Sequence, residues 1–200
     1  MGAIPVALVI GKLTRGIDIR EYGSGNIGAA NAQRTLGWTA SMAVLVSDIA
    51  KAVLPVLLAR WLTQAPLAEV ACGLAALVGH NWSVYINWKG GRGVSSAVGV
   101  ALALLPWPAL PGAVVGIAVM ALTRYVSLGS IVGATLISIF ALAWTLMVGS
   151  PVEYLLFFFT AAGLVIFRHR ANIARLLAGT ERKIGRPAEP VAGKTGRSGT

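Results

Sequence analysis

Near the start of the chain, Gly23-Ser24-Gly25-Asn26-Ile27-Gly28-Ala29-Ala30-Asn31-Ala32-Gln33-Arg34 forms a small polar segment between apolar ones. Its glycines, serine and asparagines let a backbone aim N–H groups at one point, which makes an anion-binding nest without a charged side chain. Arg34 stands where a guanidinium fork reaches the same anion and matches phosphate oxygens. The chemistry that suits Ser24, Gly25, Asn26, Gly28, Asn31 and Arg34 is phosphate binding. An ordinary Gly-rich turn between helices is the plainer reading.

Lys89-Gly90-Gly91-Arg92-Gly93 sets two cations among three glycines just before an apolar stretch, where a helix start also favours an anion. Charges in such a loop also serve membrane topology, but topology does not need a bare backbone. Farther on, Arg168-His169-Arg170-Ala171-Asn172-Ile173 places His169 and Asn172 one above the other at helical spacing, so both reach one ligand. The arginines alone would equally suit a basic belt facing anionic lipid.

Asp48 and Lys51 lie inside an apolar run at i, i+3, where ionisable groups are paired or functional, and a structural ion pair is the simpler role. His80, beside Asn81, reads first as a hydrogen-bonded packing residue and second as a catalyst. Ser127 and Ser130 follow Arg124-Tyr125 closely enough to donate to an anion, although serines in membrane helices usually bond backbone.

Several chemistries are excluded. Gly23-x-Gly25-x-x-Gly28 with Asp48 twenty residues later imitates a dinucleotide fingerprint, but the charged residues before it and the long apolar run after it are not a βαβ unit. The lysine loop is not a Walker A sequence. There is no GxSxG elbow and no Cys/His cluster for zinc, and Asp48 is the one acid in the middle of any span, too few for a Mg²⁺ site. Neither histidine has an aspartate five residues on, as acyl-CoA-type acyltransferases require. No metal or cofactor is expected.

The elements that must hold these residues are membrane helices. Only 12% of the 200 residues are charged, against 56% hydrophobic, with a mean hydropathy of +0.74. A soluble domain carries about 25% charged residues, so this chain has too little polar surface for water. The net charge of +10 then reflects loop charges that set topology, not nucleic acid. Cys72 is the single cysteine and lies in an apolar run, so no disulfide framework exists. Residues 3–13 lack the basic start and cleavage site of a secretory signal.

Seven apolar segments follow in order, at residues 3–13, 38–62, 67–88, 94–105, 112–122, 126–149 and 152–167. A spanning helix needs about 20 residues, so the first segment is short and reads as a truncated helix. Pro106, Pro108 and Pro111 are expected to break the chain between the fourth and fifth. The expected fold is an all-α integral membrane protein, a seven-transmembrane-helix bundle over residues 1–182, with a disordered tail over 183–200. Alternate loops on one side hold Lys12, Arg15, Arg20, Arg34, Lys89, Arg92, Arg124 and the 168–183 cluster, and those on the other hold none. The positive-inside rule makes the first side, and the C-terminus, cytoplasmic.

Four blocks, at 23–34, 79–94, 124–130 and 168–181, together resemble the bacterial acyl-phosphate:glycerol-3-phosphate acyltransferases in order and spacing over about residues 2–182. The resemblance implies a multi-pass enzyme of the bacterial inner membrane that moves a fatty acyl group from acyl phosphate to the 1-hydroxyl of glycerol 3-phosphate, giving lysophosphatidic acid, with no acyl-CoA, cofactor or metal. It implies phosphate handling by Ser24, Asn26, Arg34, Lys89, Ser127, His169 and Asn172, of which Ser24, Lys89 and His169 are the expected catalytic residues. Gly90, Gly91, Arg92 and Gly93 join the binding set, and Asp48, Lys51, His80, Ser130 and Glu181 support it. This chain departs from the family in its shorter first helix, in Ala52 where a glycine is usual, and in the extra tail.

Acyl phosphate is a mixed anhydride with a good leaving group, so such a site mainly has to hold two phosphates together and offset their repulsion. The hydroxyl proton passes to the donor's own phosphate or to His169, with substrate assistance the first choice. The alternative from another class is a membrane transporter or binding protein for a small phosphorylated anion. Against it, the binding blocks crowd one face and no inverted repeat is visible.

Overall fold

The computed structural model describes residues 1–184, and within them the chain is all-helical. The helices are α1 (Val6–Arg15), α2 (Ala29–Leu36), α3 (Trp38–Thr63), α4 (Pro66–Asn81), α5 (Val94–Leu104), α6 (Pro106–Thr123), α7 (Val126–Val148), α8 (Glu153–Arg168) and α9 (Arg170–Leu177). Short 3-10 turns occupy Ile19–Glu21 and Val84–Ile86.

Nine helices are counted among the described residues, of which α2 and α9 are short and polar and carry no hydrophobic run of their own, and the expected seven membrane-spanning helices are not confirmed as spans. Three helices, α3, α6 and α7, are long and apolar enough to cross a membrane alone. A fourth crossing is possible if α8 and α9, bent by 58° at His169, count as one broken span. Trp38 and Trp61, at the ends of α3, are exposed, as interface aromatics are.

Two boundaries differ from the sequence reading for identifiable reasons. The segment 67–88 is not one helix, since α4 stops at Asn81 and the chain folds back so that the Gly91 N–H donates to the His80 carbonyl at 3.0 Å, capping an orphan acceptor of the helix end. The break expected at the prolines is confined to Leu105, between α5 and α6, and Pro106 and Pro108 lie on its far side. They fall in the first turn of α6, where the missing N–H groups would have had no partner, and the helix carries on through Pro111.

Glycine sets how closely the helices approach. Gly112 and Gly116 of α6 face Gly129 and Gly133 of α7, and a Cβ on Gly129 would lie 2.4 Å from the Gly116 carbonyl oxygen. Small residues four apart let the two backbones touch, the usual means of association where lipid removes the hydrophobic drive. The main core gathers Leu77, Val100, Phe157, Phe158 and Val165 between α4, α5 and α8. Away from the charged blocks, buried Glu69 accepts from Arg60 at 2.7 Å and from the Tyr154 hydroxyl at 3.0 Å, tying α3, α4 and α8 together.

A smaller cluster of Ile19, Ile27, Ala32, Leu36, Val44 and Ile86 lies under the glycine nest and fixes it to α3. The start of the chain is packed as well. Gly2 lies so close to Ala76 that a side chain would collide with its backbone, and Lys51 Nζ donates to the Ile4 carbonyl at 2.7 Å. Past the expected domain boundary, Ile184 exchanges hydrogen bonds of 2.8 and 2.9 Å with Arg124, while Lys183 stands over the Tyr125 ring. The tail reading otherwise falls on residues 185–200, outside the described residues.

Candidate active site

Gly23 and Gly25 take positive φ values of 59° and 67°, which lets the loop curl, but the N–H groups of Ser24, Gly25 and Gly28 are spent inside it on Asn31 Oδ1, the Tyr22 carbonyl and Asn26 Oδ1, so the nest does not aim them at an anion as the spacing implied. Buried Asn31 holds that curl. Its Oδ1 accepts from the Ser24 N–H at 2.9 Å, and its Nδ2 donates to the carbonyls of Ile19, Tyr22 and Asn26 at 2.9–3.2 Å. Both ends of the amide are engaged, so Asn31 shapes the nest from behind instead of reaching an anion as the spacing alone implied. Asn26 Oδ1 accepts from the Gly28 N–H at 3.1 Å and brings the chain into α2, whose first N–H groups have no side-chain cap. Ser24 is exposed at the front of the loop.

The nest is the wall between two hollows. The inner one, a cavity of about 810 Å³, begins at Arg34, Arg92, Ser127, His169 and Asn172 and runs inward between apolar faces of α5, α6, α7 and α8. The outer one, a cleft of about 500 Å³, is lined by Arg20, Lys89, Trp88 and Arg168 with the acids Asp18 and Glu21. Ser24, Gly25 and Asn26 face both. Lys89 is thus not in the same hollow as Arg34 and His169. Two successive left-handed residues, Asn87 and Trp88, turn the chain so that Lys89 is exposed toward the outer cleft, and Arg92 takes the inner position.

The glycines of the lysine loop have a packing reason. A Cβ on Gly91 would lie 2.1 Å from His80 Nε2, and one on Gly90 or Gly93 would strike His80, Asn81 or Leu77. Arg168 then locks the loop, donating from Nε to the Gly91 carbonyl and from Nη2 to the Gly90 carbonyl, each at 2.9 Å, with its guanidinium 5.3 Å from the Trp82 ring. A basic belt for lipid does not describe this residue.

The inner cavity carries an excess of positive charge. Among the described residues neither Arg34 nor Arg92 makes a hydrogen bond or ion pair. Burial pushes the Arg92 pKa down to about 10, with Glu181 opposing the shift and Arg175, Arg34 and Arg168 adding to it. Burial, then Arg182, lowers that of Arg34 as well. Unpaired buried cations are costly, and an anion relieves that cost.

Glu181 is the acid set among these cations. Ser127 Oγ donates to it at 2.8 Å, Asn172 Nδ2 donates to the same oxygen, and Arg175 Nε donates to the other at 2.8 Å. Burial works to raise its pKa, but these three donors outweigh it and hold the carboxylate below its ordinary value. Its neighbour Arg182 donates to the Gly23 carbonyl and joins this segment to the nest.

His169 sits at the bend between α8 and α9, 1% exposed, with Nδ1 donating to the Val165 carbonyl at 2.8 Å. A carbonyl only accepts, so Nδ1 carries the proton and Nε2 keeps a lone pair. Burial pushes its pKa down to about 4, and Arg92 and Arg168 add to the shift against Val165 and Glu181. The ring is neutral at pH 7 and acts as an acceptor.

Deeper, Asp48 and Lys51 form a buried ion pair at 2.8 Å. His80 Nδ1 lies 3.6 Å from the Asp48 carboxylate, beyond hydrogen-bond reach, and has no partner among the described residues. Ser130 donates to the Val126 carbonyl at 2.8 Å and so braces its own helix. Arg175 belongs to the last of the four sequence blocks and Arg182 to the basic cluster, but neither was expected among the site residues, and the structure brings both to the cavity.

An integral membrane protein with a cationic pocket opening onto an apolar groove has the form of an enzyme that joins a phosphorylated polar molecule to a lipid chain. A family model described as glycerol-3-phosphate acyltransferase matches residues 1–179, and the chain belongs to that family. It is 44% identical over 188 residues to the glycerol-3-phosphate acyltransferase of Shouchella clausii, covering 93% of this chain and 92% of the relative. Its identity to glycerol-3-phosphate acyltransferase 2 of Moorella thermoacetica is 45% over 185 residues, covering 92% of this chain and 93% of that one. Among solved structures it is similar to PlsY (YgiH), an integral membrane glycerol 3-phosphate acyltransferase, in its glycerol 3-phosphate form, with a TM-score of 0.85 and 37% identity over 92% of this chain and 90% of that one. The lysophosphatidic acid form of the same protein matches with a TM-score of 0.83.

Proposed function

We propose that this acyltransferase takes its acyl group from acyl phosphate and places it on the 1-hydroxyl of glycerol 3-phosphate, releasing lysophosphatidic acid and phosphate on the cytoplasmic face of a bacterial inner membrane. The observation that carries the reading is the pair of unpartnered guanidiniums, Arg34 and Arg92, at the head of an apolar groove. They suit a donor that bears its phosphate directly on the acyl carbon. The apolar extension belongs to the inner cavity, so that cavity takes the donor. The polar outer cleft, with Lys89 and Arg168, takes glycerol 3-phosphate, and the shared nest brings the two phosphates together.

In the transfer step the 1-hydroxyl oxygen bonds to the acyl carbon and the bond from that carbon to the phosphate oxygen breaks. The proton goes to the phosphate. The phosphate oxygens are carried on the reacting group itself and gain basicity as the bond to the acyl carbon breaks, while burial works against a proton on His169. Before the transfer His169 Nε2 accepts a hydrogen bond from the hydroxyl and holds it beside the donor, and in the transfer step that same proton turns to the phosphate oxygen as the hydroxyl oxygen attacks the carbonyl. Arg34 and Arg92, which have no partner among the described residues, stabilise the charge that develops on the leaving group.

The test is the choice of donor. Purified protein in EDTA should form lysophosphatidic acid from acyl phosphate and glycerol 3-phosphate, and favour acyl phosphate over acyl-CoA by more than about a thousandfold, roughly 4 kcal/mol. Comparable rates with acyl-CoA would refute the donor assignment. Uptake of glycerol 3-phosphate into proteoliposomes without product would point to a transporter instead.

A further inference from the structure

We infer that the inner end of the apolar groove is a fixed floor that limits the length of the acyl chain, with Phe157 and Phe158 as its base. The inference rests on the donor reading above and goes further, to which chain that donor carries.

Five helices wall the groove, α3 through Leu45 and Ile49, and the other four agree on where it stops. The deepest residues lining it are Ala101 on α5, Ala113 on α6, Ser138 on α7 and Phe157 on α8. One turn beyond these, Leu104, Ala109, Ala141 and Tyr154 are all buried in the main core and face no cavity. The groove therefore ends at one level on these helices, below Ile117 of α6, which lines its flank and is 63% exposed.

That floor is also rigid. The Phe157 and Phe158 rings are 0% and 2% exposed and meet edge to face at 5.9 Å. Phe157 rests on Gly73 of α4, where even a Cβ would come within 3.2 Å of the ring. Ser138 Oγ shares its one proton between the Phe158 carbonyl at 2.9 Å and the Ala134 carbonyl at 3.0 Å, which fixes α7 to α8 and leaves no proton to donate to a ligand. Interiors packed this way resist local expansion, so a longer chain meets a wall instead of a yielding surface.

The groove is also of chain-like depth. Ser127, at the polar end, and Ser138 are separated along α7 by about 16 Å at 1.5 Å per residue. Its flanks are made small by Ala97, Ala134 and Ala161, which leave room for a flexible hydrocarbon and no polar group to recognise one. Discrimination by such a wall comes from overpacking, and a methylene that does not fit lowers kcat/KM by about 10–200-fold.

The experiment compares decanoyl, lauroyl, palmitoyl and stearoyl phosphate with glycerol 3-phosphate, and reads ratios of kcat/KM. Ala134→Phe, which fills the groove above its floor, should lower the palmitoyl-to-decanoyl ratio at least tenfold. Phe158→Ala, which opens the floor, should raise the stearoyl-to-lauroyl ratio. Ala113→Leu on the opposite wall provides a second filling variant should Ala134→Phe fail to fold. Filling variants that change all four donors by one common factor would overturn the floor while leaving the donor reading intact. No turnover of any acyl phosphate by the unmodified protein would remove the donor reading and the floor with it.

Discussion

His169 illustrates how burial decides a residue's chemistry. The sequence offers a histidine among arginines and invites a charged phosphate ligand, but Val165 and the surrounding cations make it a neutral acceptor instead. The fold lowers its pKa from 6.5 to about 4, so between those values the unfolded chain binds more protons than the native one. The stability contributed is therefore fully present above pH 6.5 and is lost as the pH falls toward 4. Glu181 acts in a lower window, since its depressed pKa supports the fold above its ordinary value of 4.5 and is lost only as the pH falls through the folded value. Thermal unfolding in detergent should show a melting temperature that declines from pH 6.5 to 4.5, and His169→Gln should flatten that decline. An unchanged slope in the variant would show that another group carries it.

Among the elements, the α6–α7 pair governs the width of the inner cavity, because both helices line it and meet through glycine. Gly129→Ala places a methyl group 2.4 Å from the Gly116 carbonyl oxygen, a clash with backbone that no rotamer relieves. It should destabilise the protein by about 1–3 kcal/mol. Gly163, whose added Cβ would meet nothing within 4 Å, should accept alanine with no measurable loss of thermal stability. Equal melting temperatures for the two variants would contradict the close approach. The same pair explains why the apolar runs were readable from sequence while their packing was not. Hydrophobic length marks helices such as α3 and α7, and the prolines do mark the break after α5, but only the structure shows that the next helix begins at Pro106 and not at residue 112. Polar α2 and α9 lack the hydrophobic run by which the other helices were found. Their residues stood out for chemistry and not for helix.

At the scale of the whole molecule, segments far apart in sequence build one pair of hollows around a shared nest. The four blocks at 23–34, 79–94, 124–130 and 168–181 are visible in the sequence because glycine and cations interrupt apolar runs, and each does reach the site region. Their division of labour was not visible. Lys89 and Arg92 are three residues apart, yet two left-handed residues and the contact of Gly91 with His80 send them to opposite sides of the nest. Arg168, equally prominent in the sequence, turns out to hold backbone carbonyls. The most direct measurement of the two-hollow account is steady-state kinetics of Arg92→Gln and Lys89→Gln with each substrate varied in turn. Each change should lower catalytic efficiency at least tenfold, about 1.4 kcal/mol. Arg92→Gln should raise KM for acyl phosphate and leave that for glycerol 3-phosphate nearly unchanged, and Lys89→Gln should do the reverse. If both substitutions raise KM for the same substrate, the two phosphates do not occupy separate sides of the nest.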